Sequence, residues 1–364
     1  MHKSTAWPLA ALYAALVAYA SLFPFVEWRD QGIASWEFLL APLPRYWTGF
    51  DVAINIAGYV PLGGLVVLGA LRSGWPRVSV WLAPLGVMLL SLLMEALQSY
   101  LPLRVPSRED FLLNSLGAAC GAAIAFVLQR AGAIDRWNQV RSRWFVSHSR
   151  GGIVLLSTWP LGLLFPSSVP LGLGQVVTRV EELLRSALLD SEFERWLPEG
   201  PTEWPALAPS TELLCVALGL LIPCLLGFCI VRARWRRVVV VVVTTTSAVL
   251  VTALSAALSW GPGHAWAWLD LPTQIGMLAG AGLALLLVLV SWRVSAAVAL
   301  LALGVYLSLL NQAPESPYFA QTLQLWEQGR FIRFNGLAQW VGWLWPYVAS
   351  LYLLGQIARR DTKT

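Results

Sequence analysis

The chain has 364 residues, of which 57% are hydrophobic and only 12% charged, and its mean hydropathy is +0.63. A soluble protein carries about a quarter charged residues, so this composition excludes a soluble enzyme or a solvated binding domain and indicates an integral membrane protein. The net charge of +5 does not signal nucleic acid, because the arginines gather at the ends of apolar runs rather than along one solvated face.

Apolar runs of about twenty residues are long enough to cross a bilayer as helices. They fall at about 6–26, 50–71, 78–101, 110–129, 151–176, 211–231, 238–259, 271–291, 294–311 and 336–357. The expected fold is therefore all-α, a polytopic transmembrane bundle of about ten spans. The first run superficially resembles a signal peptide, but it is long and Leu22-Phe23-Pro24-Phe25 offers no small-residue cleavage site, so it reads as an uncleaved span. The fifth run is interrupted by Pro160, Pro166 and Pro170. Cys120, Cys215, Cys224 and Cys229 sit in apolar runs without CxxC spacing and read as small hydrophobes.

Lys and Arg set the expected orientation. Lys3, Arg72, Arg77, the 130–150 stretch (Arg130, Arg136, Arg141, Arg143, Arg150), Arg232–Arg237, Arg293 and Arg359–Lys363 fall on alternate connections, which places both termini in the cytoplasm. The opposite connections include 27–49, 102–109, 178–210, 260–270 and 312–335. Of these, 178–210 is acid-rich and predicts an amphipathic helix on the outer surface. Tryptophans such as Trp28, Trp36, Trp159, Trp260, Trp266 and Trp345 recur near span ends, as an interfacial belt would. The expected organisation is a four-helix unit over 1–130, a basic cytoplasmic loop over 131–150, and a second transmembrane region of about six spans over 151–364.

A degenerate parallel repeat is also legible. Leu22-Phe23-Pro24 matches Leu164-Phe165-Pro166, and Pro61 in the second span has a counterpart in Pro223. Glu95 and Asp110 share a spacing with Ser255 and Asp270, and Asn114 corresponds to Gln274.

Polar residues inside spans are costly and mark candidate sites. Asp51 and Asn55 lie at i, i+4 on the second span, Glu95 and Gln98 at i, i+3 on the third, and Asp110, Asn114, Gly117 and Gly121 on one face of the fourth. At 1.5 Å per residue all six polar groups fall within roughly 10 Å of the outer interface. Arg104, Ser107 and Arg108 occupy the intervening loop. Two readings stand side by side: Asp51 and Asp110 as helix N-caps with Arg104 neutralising Glu95, or the whole set as a ligand-facing site. Gly117 and Gly121 would allow close helix approach.

Asp51-x3-Asn55-x5-Pro61-x-Gly63, Glu95-x2-Gln98 and Arg104-x2-Ser107-x2-Asp110-x3-Asn114-x2-Gly117 together resemble the VanZ-like family over about residues 7–130. Ser115 stands where the family often has Thr. The resemblance implies an envelope-associated membrane protein, with a link to lipoglycopeptide resistance, and carries over motif positions but no catalytic residue.

Three function classes follow. The first is a binding or transport module of the bacterial inner (plasma) membrane, handling a lipoglycopeptide or a lipid-linked or polysaccharide precursor. Its ligand-binding residues would be Asp51, Asn55, Glu95, Gln98, Arg104, Ser107, Arg108, Asp110 and Asn114, with Arg104 or Arg108 on a phosphate and a hard cation on Asp51, Glu95 and Asp110 left open. The second is a lipid-linked sugar transferase using Glu27 and Asp30. The third is a subunit that scaffolds an envelope enzyme. No cofactor motif is present in the sequence, and the expected partners are membrane lipids and that ligand.

Overall fold

The structure is a computed structural model, and it describes residues 6–22, 25, 27–42, 49–75, 79–188, 205–232, 234–314 and 332–358. The regular structure of these residues is helical, apart from one antiparallel bridge between Phe145 and Val231. Among them, seven helices are long and apolar enough to cross a membrane, so the protein is an all-α membrane protein. The chain divides into two compact units, Met1–Gln139 and Val140–Thr364.

The first unit contains α1 (Ala6–Leu22), α2 (Gly49–Arg72), α3 (Ser79–Gln98) and α4 (Arg108–Arg130). α1 has 17 residues and is shorter than the expected first span. The tightest seam lies between α2 and α4, and its cause is local. A Cβ at Gly117 would overlap the Ile56 carbonyl, one at Gly121 the Val60 carbonyl, and one at Gly63 the Ala118 backbone. The expected role of Gly117 and Gly121 in close approach is thus realised: backbones meet where side chains would hold them apart. Ala10, Val17, Tyr59, Leu62, Val87 and Ala118 pack together beside this seam. α4 stops at Arg130, where Ala131 closes the last turn and Gly132 takes φ +67°, a left-handed stop that glycine adopts without strain. A basic amphipathic helix, α5 (Ala133–Trp144), follows and occupies most of the expected cytoplasmic loop.

The second unit contains α6 (Arg150–Leu163), α7 (Val177–Leu188), α8 (Pro209–Ile230), α9 (Arg234–Trp260), α10 (Leu271–Leu286), α11 (Trp292–Leu310) and α12 (Ile332–Ala358). α8 is apolar on every face and 83% of its membrane window is buried, against 28–39% for the other candidate spans. A helix hydrophobic all round belongs at a bundle centre. Cys215, Cys224 and Cys229 are buried on it as free thiols. Gly276 and Gly280 of α10 press on the Leu213 and Ala217 carbonyls of α8. This is the same kind of seam that Gly117 and Gly121 make with Ile56 and Val60.

Two features depart from the sequence reading. The expected fifth span, 151–176, is helical only to Leu163. The following proline-rich segment is irregular yet buried, with Leu171 and Leu173 almost fully covered. Non-helical backbone at membrane depth survives only where protein satisfies it, and here it does. The Tyr306 hydroxyl accepts from Leu173 N–H at 2.5 Å and donates to Leu171 C=O at 2.7 Å. Asn311 accepts from the Val176 and Val177 amides at 3.0 Å each and donates to Gly174 C=O at 3.2 Å. Second, Trp159 and Trp345 are core residues rather than interfacial ones, and Trp345 Nε1 donates to Leu155 C=O at 2.7 Å. Arg237, buried at the start of α9, donates to the Phe228 carbonyl at 3.1 Å and to the Val288 and Val290 carbonyls at 2.9 and 2.5 Å. It thereby supplies donors to chain ends that no helix satisfies. The outer amphipathic segment is helical over Val177–Leu188 with Val177, Val180 and Leu184 exposed on one stripe, and 189–204 lies outside the described residues.

Candidate functional site

The α3–α4 connection is built by a cap. Ser107, in extended geometry, ends the loop, and its hydroxyl accepts from the Glu109 and Asp110 amides at 3.1 and 3.4 Å. In a capping box the third residue of the helix would reach back to the cap's own N–H. Here Glu95 of α3 takes that N–H instead, Ser107 N donating to Glu95 Oε2 at 2.9 Å. Asp110 is therefore not the N-cap of α4. Its carboxylate accepts from Asn55 Nδ2 of α2 at 2.8 Å. The exchange ties three helices together at one end of the first unit.

Other expected site residues have structural roles. Gln98 Nε2 donates to Ser21 C=O at 3.0 Å and Arg104 Nη2 to Ala20 C=O at 3.1 Å. These carbonyls belong to the last turn of α1, where intrahelical partners run out. Arg104 is only 7% exposed. Arg108 is exposed at the first position of α4. Asp51 sits on α2 one turn before Asn55, and its side chain lies outside the described residues.

Glu95 is 3% exposed and Asn114 5%. Asn114 Nδ2 donates to Ser91 Oγ of α3 at 3.1 Å. Ser91 and Tyr59 are the residues that pattern reading missed, although both were accessible to it. Ser91 lies four residues before Glu95 and Tyr59 four after Asn55, so each continues its helix's polar face by one turn. Glu109 was also missed, and it is buried. The cluster therefore has two layers. Asn55, Glu95 and Asp110 form the layer near the loop, and Tyr59, Ser91 and Asn114 lie one turn further in.

Among the described residues no three His, Cys, Asp or Glu side chains converge as a metal site would require. Outside the cluster, Asp30 accepts from the Gly32 amide at 2.9 Å and is exposed, as is Glu27. That arrangement is a turn in a solvated loop.

Residues 4–129 match the sequence model of the VanZ/LLP1 family, in agreement with the resemblance of the motif positions. No curated protein and no solved structure matches the chain.

Proposed function

With a VanZ-like first unit as the premise, we infer that the α2–α3–α4 end of that unit is an outward-facing polar site. It would bind the polar part of an amphipathic ligand of the bacterial envelope. The observation that carries this reading is the Asn55–Asp110 bond beside the buried Glu95. Gln98, Arg104 and Ser107 each complete a helix end, whereas Asn55 and Asp110 link α2 and α4, which the glycine seam already holds. Polar groups at membrane depth that the packing does not require are the ones a ligand uses. Outward orientation is supported by the arginine-rich connections at the other ends of these helices.

The ligand class is set by the surroundings. Leu103 and Val105 are exposed apolar residues in the α3–α4 loop. An apolar tail would lie against lipid and that loop while its polar head meets Asn55 and Asp110. A glycopeptide or a lipid-linked precursor has this form. The decisive assay is complementation of a deletion strain, read as glycopeptide susceptibility and surface polysaccharide, by Glu95→Gln and Asp110→Asn at wild-type membrane abundance. Loss of function in both supports the site. Full complementation by both removes it and leaves the chain a scaffold.

A further inference from the structure

The arginines at one end of the second unit are gathered by a backbone clip. The Phe145–Val231 bridge sets the residues after α5 against the end of α8, with the Val146 amide donating to Ile230 C=O at 2.9 Å and the Arg232 amide to Trp144 C=O at 3.0 Å. Side chains fasten the same clip: Arg232 Nε donates to Phe145 C=O at 2.7 Å, and Arg236 Nη1 to Arg143 C=O. Arg143, Arg232 and Arg234 are exposed. Among the described residues of this unit the acids are Glu181, Glu182, Glu212 and Asp270. Glu212 opens α8 and Asp270 caps α10, at the end opposite the clip. The length of α8 alone separates Glu212 from Ile230 by about 27 Å. The clip is thus a concentrated positive charge at the turn between α8 and α9, where two membrane spans leave the bilayer.

Positive-inside topology accounts for charge in such a connection, but not for what surrounds it here. Trp144 and Trp235 meet edge-on with ring centroids 5.4 Å apart. The Arg236 guanidinium lies over both rings, at 5.0 and 5.3 Å from their centroids, and its Nε is buried without an acceptor. Buried donors are almost always satisfied, and an exception needs a cause. Trp235 is 60% exposed, so its ring is free to turn and admit an acceptor. Val238 and Val242 follow Trp235 at i+3 and i+7 on the same face of α9, and both are exposed. An apolar track therefore begins at the arginines and runs along the span. A soluble polyanion would use the charge and leave the track idle. A phospholipid uses both, its phosphate at the guanidinium groups and its chains against the valines.

We propose that this clip binds the phosphate of one anionic phospholipid of the cytoplasmic leaflet. Arg232, Arg234 and Arg236 donate to the phosphate oxygens, as guanidinium groups do to such oxyanions, and the acyl chains lie along Val238 and Val242. The site is separate from the polar cluster of the first unit and does not depend on its reading.

The test uses the full-length protein in an uncharged detergent, with dissociation constants for dioctanoyl phosphatidylglycerol and dioctanoyl phosphatidylcholine measured by native mass spectrometry. The wild type should bind the phosphatidylglycerol about tenfold or more tightly than the phosphatidylcholine. Arg232→Gln with Arg236→Gln should weaken phosphatidylglycerol binding by about tenfold or more, since each arginine near a charged headgroup is worth about fivefold. Arg72→Gln with Arg130→Gln removes the same charge from the first unit and should leave the affinity within about twofold of wild type. Where the first pair fails to fold, Arg234→Gln carries the test. It is exposed, stands outside the clip's hydrogen bonds and should cost about fivefold by itself. Equal affinity for the two lipids overturns the proposal. Equal weakening by the two double variants also overturns it, because attraction would then be diffuse. Polyglutamate or an oligonucleotide bound more tightly than phosphatidylglycerol, and lost in the clip variants, would assign the patch to a soluble polyanion and overturn it as well.

Discussion

Replacing Gly117 with alanine should damage the site through packing alone. The new methyl group would overlap the Ile56 carbonyl on α2, so α2 and α4 must part by about 1 Å to restore a tolerable contact, a displacement that well-packed interiors resist. Such overpacking costs about 1–3 kcal/mol. The parting falls two turns along α4 from Asp110, and Ile56 directly follows Asn55. A displacement of that size would carry the 2.8 Å Asn55–Asp110 bond past hydrogen-bonding range and lose about 1 kcal/mol more. The sum is about 2–4 kcal/mol. Gly58, on the same helix α2, has nothing within 4 Å of the place an added methyl group would take, so Gly58→Ala should change stability by no more than about 0.5 kcal/mol. The assay is SDS-induced unfolding of the purified protein in mild detergent, followed by helical signal. Equal midpoints for Gly117→Ala and Gly58→Ala would refute the argument that backbone contact at this seam positions the site.

Further predictions address the caps and the orientation. Ser107→Ala removes the acceptor for the Glu109 and Asp110 amides and should cost about 1 kcal/mol. The Ser107 N–H bond to Glu95 survives that change, so complementation should persist, as growth assays at permissive temperature can check. Tyr306→Phe leaves the Leu173 N–H and Leu171 C=O buried without partners and should lower stability by about 2–4 kcal/mol in the same unfolding assay. Arg237→Met strips donors from the Phe228, Val288 and Val290 carbonyls and should destabilise by a similar amount, about 2–4 kcal/mol. In a variant with Cys120, Cys215, Cys224 and Cys229 replaced, Arg108→Cys should react with a membrane-impermeant maleimide in intact cells. Reaction only after permeabilisation would place the cluster on the cytoplasmic side.

Much of the fold is legible because hydropathy alone determines which segments must be helices in a bilayer. The limits have physical causes. Pro160, Pro166 and Pro170 warned that the fifth run was broken, but the buried path of 164–176 depends on Tyr306 and Asn311, each 135 positions from its partner. No local pattern reveals such partners. At the site, spacing placed Asn55, Glu95, Asp110 and Asn114 on helix faces correctly. It could not separate Gln98 and Arg104 from them, because their partners are the carbonyls ending α1. The assignment of Asp110 as a possible cap was correctable from sequence. Ser107-Arg108-Glu109-Asp110 is itself a cap-to-third-residue pattern, and it names Ser107. Tyr59 and Ser91 were missed because Tyr and Ser blend into an apolar run, although each lies four residues from a residue already chosen.

The central claim, that the first unit's polar cluster is functional, is tested most directly by a matched comparison within one chain. The α8–α10 seam repeats the α2–α4 seam, so Glu212, which precedes Leu213, stands where Asn55 precedes Ile56, and Asp270 caps α10 near where Asp110 opens α4. Two double variants, Glu95→Gln with Asp110→Asn and Glu212→Gln with Asp270→Asn, make the same neutralising change in each unit. Assayed by complementation at equal membrane abundance, the first should abolish the phenotype and the second should leave it intact. Equal activity of the two, whether both full or both lost, would contradict the assignment of the site to the first unit.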